Sequence, residues 1–201
     1  MVSMTTSDIT AQRDLIIETI LPDVAFDGWV WGGVEAAVRK AGFPTVRAKA
    51  LFPGGLSDVL SHFADYNDRK MLAVLENVDS TALPVRERVR QAVMARFEAL
   101  SQNREAEKRA LRYWTQPLRA AQATQIVWRT ADRIWTWAGD TATDYNRYTK
   151  RGLLSGILVS TTLVWADDNN GSLSHTDEFL RRRIENVMKL GGILGKLRKR
   201  A

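Results

Sequence analysis

The stretch AGFPTVRAKALFPGG, residues 41–55, contains two helix boundaries within one short segment. Gly42-Phe43-Pro44 predicts the end of a helix over about Val30–Ala41, and Pro53-Gly54-Gly55 predicts the end of a shorter helix over about Thr45–Phe52. Proline lacks an amide proton and glycine is conformationally free, so both residues interrupt helices. The segment is therefore typical of two short helices joined by a tight turn.

The sequence on either side also has helical spacing, with no convincing alternation of polar and apolar residues to indicate strands. A first helix is predicted over about Ser7–Leu21, with Pro22 ending it. Another helix begins near Ser57-Asp58, where either side chain can cap it. After Pro84, apolar residues recur every three or four positions beneath a charged face. We expect an all-α fold.

The C-terminal half has clear helix boundaries of its own. Pro117 predicts a break, a helix follows over Ala120–Trp137, and Gly139 is a candidate C-cap with Asp140 or Thr143 as the next N-cap. The following helix contains GLLSGILVSTTLVWA, residues 152–166, which is uncharged but shorter than the roughly 20 residues that span a bilayer. We therefore expect a buried central helix. Its small-residue stripe, Gly152, Gly156 and Ser160, allows close approach of another helix or of a ligand.

Composition excludes several kinds of site. The 201 residues include no cysteine, so disulfides and thiolate metal sites are excluded, and the only histidines, His62 and His175, lie far apart. No Ser-His-Asp grouping, Glu-x-x-His pair or glycine-rich phosphate loop is present. We therefore predict no catalytic residue, no metal and no cofactor. The N-terminal residues lack the pattern of a signal peptide.

The net charge of +6 is concentrated at the C-terminus. Residues 189–201 carry five bases and no acid, which leaves a net charge of +1 for the other residues. Such a distribution indicates a nearly neutral body with a basic tail that suits an anionic membrane surface or another polyanion.

Residues 8–63 resemble the helix-turn-helix domain of TetR-type regulators. The likeness is most specific at Ala41-Gly42 in the turn and at Phe52-Pro53, which closes the recognition-like helix at the family's spacing. Three positions depart from that pattern: Pro44 replaces a capping serine, Lys49 a phosphate-binding tyrosine and Gly55 a lysine.

Charge in this region argues against DNA binding. Between Pro22 and Leu60 the acids and bases cancel, whereas a DNA-reading element normally concentrates positive charge. The acids are Asp23, Asp27, Glu35 and Asp58, and the bases are Arg39, Lys40, Arg47 and Lys49. We expect a degenerate helix-turn-helix that binds no nucleic acid. The alternative is a ligand-responsive transcriptional regulator of the TetR type.

From about Val85 to Lys189 the chain resembles the ubiquinone (coenzyme Q) biosynthesis accessory family. The match is carried by VRERVRQAVMARFEAL, TADRIW, AGDTATDYNRYTKRGLL and DEFLRRRIENV, in consecutive order. The resemblance implies a TetR-like homodimer whose C-terminal domain binds an isoprenoid quinone or other lipid. It further implies a non-catalytic protein that assists the demethoxyubiquinone hydroxylase. Because the chain begins almost at its first helix, we expect a cytoplasmic, bacterial form that is peripheral on the inner membrane.

The resemblance also implies a hydroxylase-contacting patch around residues 138–151. Carried over by position, the patch comprises Asp132, Ile134, Asp140, Asp144, Arg147, Tyr148 and Arg151. Arg147 stands where the family usually has an exposed tryptophan, and arginine is another common interface anchor. Capping and the helix dipole explain Asp140 and Asp144 equally well, and Lys150-Arg151 can pair with Asp144 or with glutamates of a neighbouring helix.

Large apolar residues of the C-terminal half are candidates for a lipid pocket or, equally, for a solid core. Trp128 and Trp135 are seven residues apart and so share a helix face. The resemblance favours the pocket, and the candidate lipid-binding residues are Phe97, Leu111, Trp114, Trp128, Trp135, Leu154, Ile157 and Leu158, with Trp165 nearby.

The tail, IENVMKLGGILGKLRKRA, has the pattern of a basic amphipathic helix. Two interpretations are equally favoured: the helix binds a membrane, or a core helix ends near Leu190 and is followed by a frayed basic tail. The resemblance favours membrane binding through Leu190, Ile193, Leu194, Lys196, Leu197 and Arg200. The predicted organisation is therefore a degenerate helix-turn-helix domain (1–63), a lipid-binding helical domain (64–188) and an amphipathic tail (189–201).

Overall fold

The computed structural model describes residues 6–168 and 172–198, and side chains over 8–168 and 172–189. This part of the chain forms nine α-helices and no strand, which confirms the predicted all-α class. The helices are α1 (Thr6–Asp27), α2 (Trp31–Lys40), α3 (Arg47–Leu51), α4 (Leu56–Leu75), α5 (Val85–Ser101), α6 (Arg104–Trp114), α7 (Ala120–Trp137), α8 (Tyr145–Asp167) and α9 (Ser174–Arg198). Short 3-10 turns occupy Ser80–Ala82 and Pro117–Arg119.

Most predicted boundaries are confirmed, since α2 and α7 lie within one residue of expectation. The prediction that Pro22 ends the first helix is wrong, because α1 continues to Asp27. Pro22 removes one backbone hydrogen bond, but Ile20 and Val24 on either side of it are fully buried and hold the helix in place. The third helix is shorter than predicted, covering only Arg47–Leu51.

The chain divides into two compact units. Unit 1 comprises Met1–Arg69 and Leu100–Ala121, and unit 2 comprises Lys70–Ala99 and Gln122–Ala201. The helix-turn-helix region therefore packs with α6, whose Ala106 and Ala110 join the same apolar core as α1, α2 and α4. The predicted domain boundary at residue 63 stays a prediction.

In unit 1, polar contacts between α1 and α4 lie beside the apolar core. The His62 Nε2 atom lies 2.7 Å from Asp14 Oδ1, and Arg69 donates to both oxygens of Asp14 at 2.6 and 2.8 Å. Burial lowers the pKa of His62, although the hydrogen bond to Asp14 opposes that effect. His62 is therefore a structural residue in the core.

Unit 2 is built on α8, whose buried residues repeat every three or four positions and include Leu154, Ile157, Leu158 and Trp165. Phe97 of α5 packs against Trp165, with ring centroids 5.9 Å apart, and the Trp135 indole N–H of α7 donates to the Lys150 carbonyl at 3.0 Å. The predicted burial of this helix therefore holds for one face of α8, while Leu153, Val159 and Leu163 on another face are exposed. No helix in the described part of the chain is both long and apolar enough to cross a bilayer.

Candidate functional site

The corner between α7 and α8 is held by a buried ion-pair network. Arg151 is 1% exposed and the Asp140 side chain 3% exposed, and Arg151 Nη1 donates to Asp140 Oδ2 at 2.8 Å. The other Asp140 oxygen accepts from Lys150 Nζ at 2.6 Å. Arg151 Nε also donates to Asp132 Oδ1, which accepts from Arg147 Nη2 at 2.9 Å. We call Asp132, Asp140, Arg147, Lys150 and Arg151 the corner network.

Charge pairing dominates the electrostatics of this network. Burial alone would raise the pKa of Asp140, but hydrogen bonds from Lys150 and Arg151 outweigh it and hold that pKa below its usual value. Burial likewise would lower the pKa of Arg151, and hydrogen bonds to Asp132 and Asp140 raise it instead. Asp140 and Arg151 are therefore charged and paired at neutral pH, an arrangement that positions two helices rather than transferring protons.

Local backbone geometry sets the corner. Gly139 has φ +86°, and its N–H donates to Thr136 O at 3.1 Å, which confirms the predicted C-cap. Arg88 of α5 donates to the Ala138 carbonyl at 3.0 Å and so fixes the same turn from a third helix.

The prediction that Asp140 or Thr143 caps the next helix is wrong, because Asp144 is the N-cap and accepts from Asn146 N at 3.0 Å. The Asp144 carboxylate is therefore already hydrogen-bonded to the backbone at the start of α8. The expected pairing of Lys150-Arg151 with Asp144 is also wrong, since both bases turn to Asp140 instead.

The residues of the predicted partner patch divide into an inner and an outer group. Ile134 and Arg151 are fully buried, so they act by positioning the corner and cannot contact a partner directly. Tyr148 is 62% exposed and lies against Trp128, with ring centroids 6.3 Å apart. Asp144 is exposed as well, and Arg147 is partly exposed beside it. We call Trp128, Asp144, Arg147 and Tyr148 the corner surface.

The candidate lipid-binding residues also separate. Six of them lie in unit 2, where Phe97, Leu154, Ile157 and Leu158 are buried and Trp128 and Trp135 are half-buried. Leu111 and Trp114 lie in unit 1, and Trp114 packs against the apolar core of that unit. Trp128 and Trp135 both face α8, as their spacing predicts. The six residues of unit 2 are therefore packed chiefly as core.

Unit 2 also contains a cavity of about 160 Å³ between α5 and α9, which no sequence motif indicated. It is lined by Arg86, Glu87, Arg90, Arg181, Ile184, Glu185 and Met188. Arg90 joins α5 to α9 by donating to Asp177, and it also donates to Glu87 of α5 at 2.7 Å. The hydrogen bond from Arg90 lowers the pKa of Glu87. No motif in the sequence links Arg90 to a residue 87 positions away.

Three of the four bases of the helix-turn-helix region are held by contacts within unit 1. Lys40 pairs with Asp23 at 2.8 Å, and Arg47 donates to the Gln12 side chain at 2.8 Å. Lys49 donates to the Pro53 carbonyl at 2.8 Å. These cations are therefore partly satisfied before any phosphate approaches.

In the described part of the chain, no group of three or more histidines and carboxylates is placed to hold a metal ion. The tail residues predicted to bind membrane, Leu190 to Leu197 and Arg200, lie outside the described side chains, although the α9 backbone is helical to Arg198.

Comparison with known proteins agrees with both resemblances. Residues 120–191 match the COQ9 family model, a range that covers α7, α8 and most of α9. Over 183 residues the chain is 28% identical to the mitochondrial ubiquinone biosynthesis protein COQ9 of Rattus norvegicus, covering 88% of this chain and 58% of that protein. The human COQ9 protein is 27% identical over the same length, covering 57% of its own sequence. The Schizosaccharomyces pombe relative is 25% identical over 188 residues, covering 94% of this chain and 74% of that protein.

The fold has a solved counterpart. The crystal structure of a TetR transcriptional regulator from Nitrosomonas europaea matches with a TM-score of 0.69 at 19% identity, covering 87% of this chain and 97% of that one. The predicted TetR-like fold and the predicted resemblance to the ubiquinone biosynthesis proteins are therefore confirmed. The chain spans somewhat more than half the length of the mammalian relatives it matches.

Proposed function

We propose that this chain, similar to COQ9 proteins over most of its length, acts in ubiquinone biosynthesis as a non-catalytic, lipid-binding accessory protein. It presents a prenylated quinone intermediate to a membrane-associated hydroxylase of the demethoxyubiquinone type. The observation that carries the proposal is the similarity to COQ9 relatives over 88% of the chain, with the family model centred on the helices of the corner network.

The lipid would bind in the apolar interior of unit 2. Phe97, Leu154, Ile157 and Leu158 are buried there, and an apolar interior suits a prenyl chain because each Å² of apolar surface left in water costs about 25 cal/mol. Because these side chains are already buried in the protein, binding a lipid among them requires them to move apart. The chemistry of the lining suits an isoprenoid quinone or another lipid with a long apolar chain.

The hydroxylase would bind at the corner surface. Tyr148 offers an exposed ring that is already oriented by Trp128, which reduces the entropy lost on binding. Arg147 is held by Asp132 in the position of the family's usual tryptophan. Aromatic residues and arginine are the commonest anchors of protein interfaces, which supports a partner contact at this surface.

A homodimer would form on the outer face of α8. Residues 152–166 are uncharged, and along this face Leu153, Val159 and Leu163 are exposed. A side chain added at Gly152 or Gly156 would meet nothing within 4 Å, so a second helix can approach closely there. A second copy of the chain would cover this exposed apolar face of α8.

The protein would be peripheral on the cytoplasmic face of a bacterial inner membrane, with the basic tail at the anionic surface. Liposome flotation of the full chain and of a chain lacking residues 191–201 tests this part of the proposal. We expect the truncated protein to fold normally and to bind anionic vesicles more weakly than the full chain. Unchanged flotation would remove the tail from the mechanism.

The biosynthetic role is tested in cells that depend on this protein. Deleting its gene should lower ubiquinone and cause demethoxyubiquinone to accumulate, and the wild-type gene should reverse both effects. An unaltered ubiquinone level would contradict the proposal. Turnover of a quinone intermediate by the purified protein alone would contradict a non-catalytic role.

The TetR-type regulator is the less favoured function, because Lys40, Arg47 and Lys49 of the helix-turn-helix region already make contacts within unit 1. A gel-shift experiment separates the two functions. Sequence-specific binding to duplex DNA with a steep dependence on salt would support the regulator.

A further inference from the structure

The turn between α6 and α7 presents a fully exposed leucine between two arginines. Leu118 has a relative exposure of 101%, the highest of the exposed large apolar residues in the described part of the chain. Residues 115–117, which precede it, are also exposed and carry no charge. Arg112 and Arg119 flank this uncharged apex. We call residues 112–119 the arginine turn, and its apex contributes almost no burial to the fold.

The surroundings of the arginine turn are positively charged. From Lys108 to Ala121 the sequence contains four bases and no acid. Lys108 lies 3.6 Å from Glu105, whereas Arg109 donates to backbone carbonyls of α1 and forms no ion pair with a carboxylate of the described residues. The exposed Arg112 side chain makes no hydrogen bond or ion pair with the described residues. The arginine turn therefore carries positive charge that can bind anions.

The turn is held rigidly by unit 1. The Arg119 guanidinium lies 3.5 Å from the centroid of the Tyr113 ring, and its Nη1 donates to the Tyr113 carbonyl at 3.1 Å. The Tyr113 hydroxyl lies 2.7 Å from Ser57 Oγ on α4, and the Trp114 ring packs edge-on against Tyr113. A preorganised apex loses little conformational entropy when it binds a surface.

An apolar apex between cations matches the layers of an anionic bilayer. Apolar side chains gain by entering the acyl boundary, while arginines bind the phosphates above it. A nucleic acid offers phosphates but no apolar phase for Leu118, so it satisfies only half of this surface.

We propose that the arginine turn docks this protein on an anionic bilayer, with Leu118 inserted at the acyl boundary and Arg112 and Arg119 on lipid phosphates. The contact goes beyond the proposed function, because it uses neither the C-terminal tail nor the quinone-pathway lipid. It gives the membrane a second point of attachment, located in unit 1.

The absence of cysteine from the sequence allows a dye to be placed at one chosen position of the full chain. Leu118→Cys is labelled with an environment-sensitive dye, and Val46→Cys, at an apolar position 77% exposed in the same unit, is the matched control. With vesicles of phosphatidylcholine and phosphatidylglycerol, dye at position 118 should shift to the blue and be quenched by brominated acyl chains. Dye at position 46 should not change. A dye at position 118 that stays in a water-like environment would overturn the proposal.

Unlabelled variants measure how much the turn contributes. Leu118→Ser should weaken binding to these vesicles about tenfold, and Val46→Ser should leave it unchanged. Arg112→Gln should weaken it about fivefold, and only when the vesicles contain phosphatidylglycerol. If Leu118→Ser and Val46→Ser bind equally well, or if Arg112→Gln weakens binding to duplex DNA and not to vesicles, the bilayer is the wrong occupant.

A third comparison separates this inference from the proposed function. The chain lacking residues 191–201 should still show the dye shift at position 118, because the turn and the tail are different elements. Loss of the shift on truncation would overturn the inference of an independent docking site. Failure to recover a bound lipid would contradict the proposed function and leave the dye shift as it is.

Discussion

Replacing Arg151 by methionine removes the buried guanidinium of the corner network and keeps most of the side-chain volume. Arg151 and Asp140 are both almost completely shielded from water, with side-chain exposures of 1% and 3%. The substitution leaves the Asp140 carboxylate with Lys150 as its remaining charged partner and leaves Asp132 with Arg147. A buried carboxylate that loses an arginine therefore remains inside the protein, which is the costly outcome for an ion pair.

Loss of one partner from a buried ion pair typically destabilises a protein by about 3–5 kcal/mol. Because Lys150 Nζ still donates to Asp140 at 2.6 Å, we expect the lower end, about 3 kcal/mol. In a chain of this length such a loss lowers the melting temperature by about 6–12 °C. Urea denaturation and thermal melting, both followed by circular dichroism, measure the two quantities.

Arg147→Met is the matched control, since Arg147 donates to the same Asp132 oxygen but has a side chain 42% exposed. We expect it to cost less than about 1 kcal/mol. Asp140→Asn combined with Arg151→Met should recover part of the loss, because no buried carboxylate is then left unpaired. If Arg151→Met destabilises no more than Arg147→Met, the corner network does not hold the helices and the reasoning is refuted.

Three further variants test the corner in other ways. The folded-state pKa of Asp140 lies below its unfolded value of about 3.9, so the ionised carboxylate stabilises the protein fully above that value and loses this effect as the pH falls through the folded pKa. Asp140→Asn should therefore reduce the fall in unfolding free energy below about pH 4. Parallel plots of unfolding free energy against pH for the variant and the wild type would contradict this. Gly139→Ala should cost about 1–2 kcal/mol in urea denaturation, because φ is +86° and the new Cβ would lie 3.1 Å from Arg88 Nη1. Gly32→Ala, in open space on α2, is the control and should cost nothing. Tyr148→Ala should leave the melting temperature nearly unchanged and lower cellular ubiquinone, and a fall in melting temperature as large as that of a core variant would show that Tyr148 is structural.

Helix boundaries were predictable where proline and glycine act through the backbone alone. Pro117 and Gly139 bracket α7, and the predicted Ala120–Trp137 agrees with the structure. The helix end predicted at Pro22 was wrong because the effect of a proline depends on burial. The buried residues on either side of Pro22 stabilise α1 by more than the missing hydrogen bond costs. Tertiary packing of that kind is not visible in local sequence.

The corner network was only partly predictable. The resemblance identified Asp132, Asp140, Arg147 and Arg151 as patch residues, and the sequence left Lys150-Arg151 to pair with Asp144 or with glutamates of a neighbouring helix. The structure pairs them with Asp140, because the chain reverses at Gly139 and brings that carboxylate under α8. Pairing across a turn depends on backbone direction, which spacing along one helix cannot give.

The candidate site residues divide into buried and exposed side chains, and the helical periodicity of the sequence predicts part of this division. Ile134 follows the buried Ala131 at helical spacing and precedes the buried Ala138, so its place in the core of unit 2 follows from α7 itself. Arg151 gives no such signal, since a charged residue on a buried face is expected only when its partners are known. The arginine turn was overlooked because one leucine in a polar loop has no periodicity.

Native mass spectrometry of the purified protein, followed by extraction of any lipid that accompanies it, tests the central claim most directly. The proposed function predicts one prenylated or acylated lipid per chain, and fewer bound molecules when Leu158 in the interior of unit 2 is replaced by a larger tryptophan. The larger side chain fills space that the lipid would occupy, while Val74→Trp, at an exposed position of α4 in unit 2, is the control and should leave the occupancy unchanged. A protein that is consistently free of lipid when purified from its native membrane environment would contradict the claim.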